Sequence, residues 1–400
     1  MTLELDLLDP DTFADGPPYA AFRRLRTEAP IAWHPEREGS AGFWLLSRHA
    51  DVVAVSRDHA TFSSFEGGTM TQDMDPMGLT VVRMMLLNMD PPAHTKLRNL
   101  VNRGFTPRQV ARLEPRIREL SAGIVAAVAP AGRCDFVTQV AGELPSALIA
   151  ELMGIPIADG RKLYELTERM HSAGNPVDAA GATGEMMSYA AGLRAKKRGA
   201  PAEDIATVLL DAEIDGERLT DLEFDLFFLL LINAGGDTTR NLVASGMLAL
   251  IRHRDALAAI RADRSLLPGA IEEMLRYCSP VMQFRRTGLR DAEIRGQKIA
   301  KGEKVVMFYP SANRDEEVFA DPDRFDIHRS PNPHVAFGGG GAHFCLGASL
   351  ARLEIRCLFE AILDRLDAIE LDGPVERLHS WFIDGPRRMP VRFRGFRGRS

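Results

Sequence analysis

The chain has 400 residues, of which 45% are hydrophobic and 26% charged, which is typical of a folded globular protein and excludes a disordered chain or a short binding module. Because 49 Lys and Arg face 55 Asp and Glu, the formal net charge is −6, and a protein whose main task is to neutralise nucleic-acid phosphates is excluded. The four cysteines have no CxxC spacing, so we expect a reduced, cytoplasmic protein.

The N-terminal segment carries Glu4, Asp6 and Asp9 instead of a cationic stretch followed by an apolar one. This pattern predicts neither a signal peptide nor a membrane anchor. No internal repeat and no Ser/Gly-rich or Pro-rich linker divides the chain, so we expect a single domain over residues 1–400.

Most of the chain has helical periodicity. Short β-like runs occur at residues 43–46, 293–299 and 304–308. The sequence therefore predicts a mainly α fold with small β-sheets.

The clearest predicted helix begins after Thr220 and runs to about His253. Thr220 and Glu223 have the spacing of a capping box, in which each side chain bonds the other residue's backbone N–H. Residues 226–232 are apolar on every side, which predicts a helix buried on all faces but is far too short for a membrane span.

Small and polar residues interrupt the middle of this helix at 233–239, and each glycine there costs about 1 kcal/mol relative to alanine. One interpretation is a packing notch in which threonine hydroxyls bond back to carbonyls one turn earlier. The other is a helix opened beside a ligand, where Asp237 and Thr238 supply protons in a dry interior.

A glycine-rich loop, FGGGGAHFCLG, spans residues 337–347 and precedes another predicted helix. A dinucleotide site is excluded because His343 stands where the third glycine is needed, and a zinc site lacks ligands beyond His343 and Cys345. Lone cysteines are mostly small buried hydrophobes, which is our interpretation of Cys134, Cys278 and Cys357. Cys345 is different, because a thiolate at a helix N-terminus is stabilised by free N–H groups and the glycines admit a flat macrocycle.

This loop resembles the haem-binding loop of the cytochrome P450 family, and AGGDTT at 234–239 is similar to that family's oxygen-binding helix motif. Glu273 and Arg276 resemble the ExxR pair, and DPDRF at 321–325 resembles the loop whose Arg324 completes the ion-pair cluster. The resemblance covers residues from about 12 to 393, and it implies the P450 fold and a haem-thiolate monooxygenase.

The resemblance also assigns the cofactor and its ligands. It implies haem b with Cys345 as axial ligand of the iron, O2 as co-substrate, and Asp237 and Thr238 as the acid and alcohol that relay protons. The haem propionates are then held by four cationic or donor side chains, His94, Arg98, Arg286 and His343. In one respect the loop departs from the commonest pattern, because Gly338 stands where the phenylalanine is usual and Phe337 lies one residue earlier.

The resemblance further implies a hydrophobic small-molecule substrate, similar to a steroid, terpenoid or branched lipid, and it implies electrons from a ferredoxin and its NAD(P)H-dependent reductase. It predicts a pocket lined by Leu231, Ala234, Gly235, Val281, Met282, Phe284, Trp381 and Phe382.

A candidate basic docking surface for the ferredoxin consists of Lys96, Arg103, Arg108 and Arg112, although a solvated charged face fits these residues equally well. We expect a monomer with no nucleic-acid partner. The alternatives are a biosynthetic P450 that epoxidises or couples a natural product and a non-catalytic haem sensor.

Overall fold

The computed structural model describes residues 5–36, 41–102, 105–170, 176–200, 204–211, 213–214 and 217–395. Helices dominate this part of the chain and the sheets are small, so the predicted mainly α fold is confirmed.

The helices are α1 Tyr19–Glu28, α2 His49–Arg57, α3 Pro76–Val82, α4 Ala93–Asn102, α5 Pro107–Val128, α6 Glu143–Met153, α7 Ile157–Met170, α8 Pro176–Gly199, α9 Ile205–Leu210, α10 Asp221–Arg252, α11 Arg254–Ala262, α12 Leu267–Cys278, α13 Tyr309–Ala312 and α14 Ala348–Arg365. Short 3-10 turns and one π turn, Val137–Ala141, connect some of them.

The strands are β1 Ile31–His34, β2 Phe43–Leu46, β3 Phe62–Ser63, β4 Arg133–Asp135, β5 Glu213–Ile214, β6 Glu217–Arg218, β7 Gln283–Gly288, β8 Ala292–Ile294, β9 Gln297–Ile299, β10 Lys304–Phe308, β11 Leu366–Leu371, β12 Glu376–Arg377, β13 Pro386–Arg388 and β14 Pro390–Gly395. In the described residues the largest sheet has the order β1-β2-β10-β7-β3, in which β2 and β10 run parallel. A second sheet has the order β11-β14-β4.

Helix α10 is the centre of the molecule, as its apolar sequence predicts. The capping box is present, because Glu223 N–H donates to Thr220 Oγ1 (3.3 Å) and Thr220 N–H donates to Glu223 Oε2 (2.8 Å). Side chains of α10 join both large core clusters, and the helix packs against α6, α7, α8, α12 and α14. This burial on all sides explains the apolar run from 226 to 232.

One predicted β-run differs from the structure. Residues 293–299 are split between the antiparallel strands β8 and β9, which pair Ile294 with Gln297. Arg295 and Gly296 both have positive φ (48° and 80°), so a tight turn separates the strands.

Among the described residues, no single helix has both the length and the apolar character needed to cross a membrane; one sharply bent pair of helical segments, Val137–Met153 and Ile157–Met170, meets both criteria only when the two are counted together.

Candidate functional site

The glycine-rich loop lies directly on helix α2. Gly338, Gly340 and Gly341 have positive φ (94°, 93° and 77°), which side chains other than glycine rarely adopt. A Cβ at Gly341 would lie 2.6 Å from the carbonyl oxygen of Ser56, closer than real contacts allow. The glycines therefore let the loop backbone contact the backbone of α2, which fixes the position of the segment that carries Cys345.

Cys345 comes just before α14, with Gly347 as the N-cap of that helix. Its N–H donates to Phe337 O (3.0 Å), and its side chain is exposed although protein atoms surround it closely. Desolvation raises the pKa of the thiol, while the Gly347 N–H and the charge of Arg98 lower it. An exposed residue in such dense surroundings lies on the wall of a cleft.

Phe337 packs beside this turn. Its ring lies 4.6 Å below the Arg352 guanidinium and 6.4 Å from the Phe344 ring, and it contacts the large core cluster. Gly338 ends the turn that begins at Val335, and its N–H donates to Val335 O (2.9 Å). The loop variant thus places the phenylalanine in the core behind the loop, with its carbonyl oxygen on the Cys345 N–H.

The structure brings together all four side chains that the resemblance assigned to the propionates. The rings of His94 and His343 are 4.3 Å apart, and Arg98 donates to Ala342 O (2.9 Å) and Phe344 O (2.6 Å) in the cysteine loop. Burial, and to a smaller extent the positive charge of Arg98, lower the pKa of His94 to about 4. Burial and the positive charge of Arg286 lower the pKa of His343 to about 2. The cluster therefore disfavours further positive charge and complements an anion.

These residues fit a dianionic ligand. His94 is buried (1% exposed), and its Nδ1 has no hydrogen-bond partner within the described residues. The negative charge of Asp90 raises the pKa of His94, but this carboxylate already accepts hydrogen bonds from the Ser63 hydroxyl and the Ser64 N–H. Two carboxylates, such as the propionates of a haem, supply the missing charge and an acceptor. Open space beside Gly347, where an added Cβ would contact nothing within 4 Å, is consistent with a flat group next to Cys345.

Ala234 and Thr238 lie one turn apart on helix α10. Ala234 is exposed although Ile232 before it and Gly236 after it are buried, so an open space reaches α10 at this point. Thr238 Oγ1 donates to Ala234 O (2.8 Å), which is the hydrogen bond expected of a packing notch, and the helix continues without interruption through 233–239. Asp237 is buried (2% exposed), with its Oδ1 3.5 Å from Arg240 Nη2.

The predicted pocket residues fall into two groups. Ala234 is exposed, and Gly235, Val281, Phe284, Trp381 and Phe382 are half-buried. Phe284 and Phe382 contact each other, with ring centroids 5.5 Å apart. Leu231 (8% exposed) belongs to the core between α6 and α8, and Met282 (1% exposed) packs with Leu7, Phe13 and Phe22. Met282, which directly precedes β7, is thus a core residue packed against the N-terminal segment.

Glu273 and Arg276 form a fully buried, bidentate ion pair on α12, with N–O distances of 2.7 and 2.8 Å. Arg276 also donates to three backbone carbonyls, those of Asn313, Pro322 and Arg324. Here the prediction was wrong in one detail. Arg324 takes part through its carbonyl oxygen and is itself exposed, whereas the second guanidinium at Glu273 is that of Arg329 (3.2 Å). The chain turns after Asp321, and it is the side chain of Arg329 that reaches Glu273.

A group of residues behind Asp237 was not predicted. Arg240 is 1% exposed and contacts Glu168 of α7, and its guanidinium lies 4.8 Å from the centroid of the Tyr164 ring. Arg240 stands three residues after Asp237, so the helical repeat could have placed both on one face. Glu168 carries no such signal, because its partner lies on another helix.

Of the candidate docking residues, Lys96, Arg108 and Arg112 are exposed, and Arg103 lies outside the described residues.

The chain is similar to known proteins over almost its whole length. A family model described as cytochrome P450 matches residues 193–383. The chain is 41% identical over 403 residues to the steroid C26-monooxygenase of Mycobacterium tuberculosis (98% of this chain, 93% of the relative), and 40% identical over 406 residues to a methyl-branched lipid omega-hydroxylase of Mycobacterium bovis (97% and 94%).

The chain also superposes on solved structures over almost its whole length. A cytochrome P450 of Mycobacterium marinum in complex with pseudoionone superposes with a TM-score of 0.92 at 39% identity, covering 98% of this chain and 99% of that one. A Bacillus megaterium protein in complex with testosterone superposes with a TM-score of 0.86 at 31% identity, covering 96% and 99%.

Proposed function

The chain belongs to the cytochrome P450 family and is one of its monooxygenases, and on that premise we propose that it binds haem b through Cys345 and inserts one atom of O2 into a hydrophobic small molecule. The observation that supports this most directly is the cluster of His94, Arg98, Arg286 and His343 beside an accessible cysteine. Such a cluster complements the two carboxylates of a haem whose iron takes a thiolate.

The cysteine loop would supply the axial ligand. Cys345 Sγ would bind the iron, and the Gly347 N–H and the charge of Arg98 lower the pKa of the thiol, against the desolvation that raises it. Arg98 would hold a propionate while it bonds the loop carbonyls, so one side chain connects α4, the loop and the cofactor. The bound haem supplies the activation of O2 for oxygen insertion.

Asp237 and Thr238 would manage the protons. Because Thr238 Oγ1 donates to Ala234 O, its lone pairs remain as acceptors facing the cleft. Asp237, buried one residue away, would supply the proton that Thr238 passes on. Burial keeps bulk water from this step, which suits a reaction that must not release reduced oxygen.

For the substrate we propose a steroid or a methyl-branched lipid, since relatives that cover almost the whole chain are named for these substrates. The half-buried aromatic residues Phe284, Trp381 and Phe382 give an apolar wall of the kind such molecules need.

For the electron donor we propose a ferredoxin that binds the exposed cations of α4 and α5. Helix α5 packs along α14, the helix that begins after Cys345, so a partner seated there would be close to the haem. We also assign the protein to the cytoplasm, which its four free cysteines support.

The test is the absorption spectrum of the holoenzyme after dithionite reduction and exposure to carbon monoxide. We expect the red-shifted Soret band that thiolate-ligated haem gives, and we expect the Cys345→His variant to bind haem without it. A folded wild-type protein that holds haem without this band would refute the assignment of Cys345. With the band present, steroids and methyl-branched fatty acids are screened by the spin-state shift of the ferric enzyme.

A further inference from the structure

Arg240 lies between two acidic side chains and contacts one of them more closely than the other. Its guanidinium contacts a Glu168 carboxylate oxygen and lies 3.5 Å from Asp237 Oδ1, while its Nε donates to Asn241 Oδ1 (3.1 Å). With 1% exposure, Arg240 cannot draw counter-charge from water. The charge on either carboxylate therefore changes how strongly Arg240 holds the other.

Glu168 is the outer member of this group. Its side chain is 36% exposed, whereas that of Asp237 is 3% exposed, so solvent protons reach Glu168 much more readily. The charged groups that face it are Glu165 on its own helix, Asp237 and Arg240 on α10, and Arg387 on β13. Burial and the charge of Asp237 raise the pKa of Glu168 to about 7, with Arg387 opposing them.

Helix α7 is tied to α10 on both sides of Asp237. Thr167 Oγ1 donates to Asn233 Oδ1 (3.1 Å) one turn before Asp237, and Glu168 contacts Arg240 one turn after it. Tyr164 stacks on Arg240, and a Cβ added at Gly236 would lie 3.5 Å from its ring. The acid and its neighbours are thus held in a fixed arrangement by one helix.

We propose that Glu168, acting through Arg240, is a positioning residue that sets the proton affinity of Asp237. The inference rests on the proposed role of Asp237 in proton delivery. When Asp237 gives up its proton, its new charge needs Arg240, and proton uptake at Glu168 from solvent releases Arg240 for that pairing. Only protons move in this exchange. Without an acid at 168, Arg240 pairs permanently with Asp237, which then stays ionised and carries no proton for Thr238.

The first test follows carboxylate infrared bands of the holoenzyme from pH 5 to 9. We expect the wild type to show one group titrating in the neutral range that is missing in Glu168→Gln. In Asp237→Asn its midpoint should fall by at least one pH unit, because the charge that raises the pKa of Glu168 is gone. A wild type without this group, or a midpoint that Asp237→Asn leaves in place, would overturn the proposal.

The second test measures product formed per NAD(P)H oxidised, from pH 6 to 9, with a surrogate ferredoxin. Glu168→Gln should lower this ratio several-fold and flatten its pH profile, and Glu168→Asp should restore most of both. Glu143→Gln is the matched control, because it breaks another ion pair that ties α6 to α7, with Arg161, away from Asp237. Equal pH profiles of this ratio for Glu168→Gln and Glu143→Gln would show that Glu168 has only a structural role.

The two proposals fail in different ways. Loss of the red-shifted carbon monoxide band would remove the haem-thiolate assignment and leave the infrared titration unchanged. A correct band together with an unshifted titration would remove the role of Glu168 alone.

Discussion

Thr238 contributes a single hydroxyl, and that hydroxyl already donates to Ala234 O. In Thr238→Ala the backbone hydrogen bonds of α10 persist, so we expect normal folding and haem content. The proton path from Asp237 loses its last member, so hydrogen peroxide should replace most of the product for the same NAD(P)H consumption. Peroxide and product are measured together, and Thr238→Ser should remain well coupled. Full coupling in Thr238→Ala would show that the hydroxyl serves only the helix.

Glu354 on α14 is a buried acid (5% exposed) whose Oε2 has no partner within the described residues. Burial raises the pKa of its carboxyl to about 8, well above the ordinary value that it has in the unfolded chain. The unfolded chain therefore loses this proton first, and the contribution of Glu354 to native stability is lost as the pH rises from about 5 through 8.

Replacing this acid with its neutral isostere removes that loss. We expect Glu354→Gln to match the wild type at pH 4 to 5 and to exceed its free energy of unfolding by about 1 kcal/mol or more at pH 9. Urea denaturation at the two pH values measures the difference. A difference that is the same at both would mean that Glu354 is not protonated in the native state.

At the scale of the elements, α12 is joined to the segment from 326 to 332 by one carboxylate. Glu273 accepts from Arg276, Arg329, the Asp326 N–H and Asn332, all within 3.4 Å. Removing Glu273 leaves two arginines in the interior without a counter-charge, which costs about 3–5 kcal/mol. We therefore expect Glu273→Ala to aggregate or to purify without haem, as shown by soluble yield and haem content.

A matched comparison comes from the two nearby arginines. Arg329→Ala should destabilise the protein, whereas Arg324→Ala should change the free energy of unfolding by less than about 0.5 kcal/mol, because Arg324 contributes only its carbonyl. The opposite order would contradict the arrangement around Glu273.

The cysteine loop depends on close backbone contact with α2. In Gly341→Ala the new methyl group meets Ser56 O at 2.6 Å and the residue has a φ of 77°, so the loop must lift from the helix. Because the loop carries Cys345 and His343, we expect faster transfer of haem to apomyoglobin. Gly123→Ala in α5, where the new methyl group meets nothing within 4 Å, should leave the transfer rate unchanged. Equal transfer rates in the two variants would show that haem retention does not depend on the contact between the loop and α2.

At the scale of the whole molecule, local signals predicted the parts that local physics controls. The capping residues Thr220 and Glu223 and the apolar run after them determine α10, and its bounds agree with the prediction. The turn at Arg295 and Gly296, which divides one predicted β-run, had a signal in Gly296 that hydrophobic alternation alone does not register.

The rest depends on contacts between distant segments. Nothing near Phe43–Leu46 indicates that β2 pairs in parallel with β10. The choice of Arg329 over Arg324 depends on how a loop turns, and the pairing of Glu168 with Arg240 depends on the packing of α7 on α10. Family resemblance supplied the four propionate candidates, whereas the unpredicted contacts follow from how distant segments of the chain pack together.

The net charge of −6 makes local positive surfaces important for an acidic electron donor such as a ferredoxin. Arg108 and Arg112 are exposed on α5, so reversing both charges should slow reduction by the ferredoxin about tenfold at low ionic strength. The deficit should shrink as salt rises, because screening weakens the attraction in the wild type as well. Stopped-flow reduction under carbon monoxide gives the rate.

The control changes net charge equally at another place. Lys298 and Lys301 are exposed on and beside β9, so Lys298→Glu with Lys301→Glu should leave reduction close to the wild-type rate. If both pairs slow the reaction alike, overall charge attracts the donor. If only the α5 pair does, and the spectrum with carbon monoxide is unchanged, the donor binds over α5 beside α14, on the side of the haem where Cys345 lies.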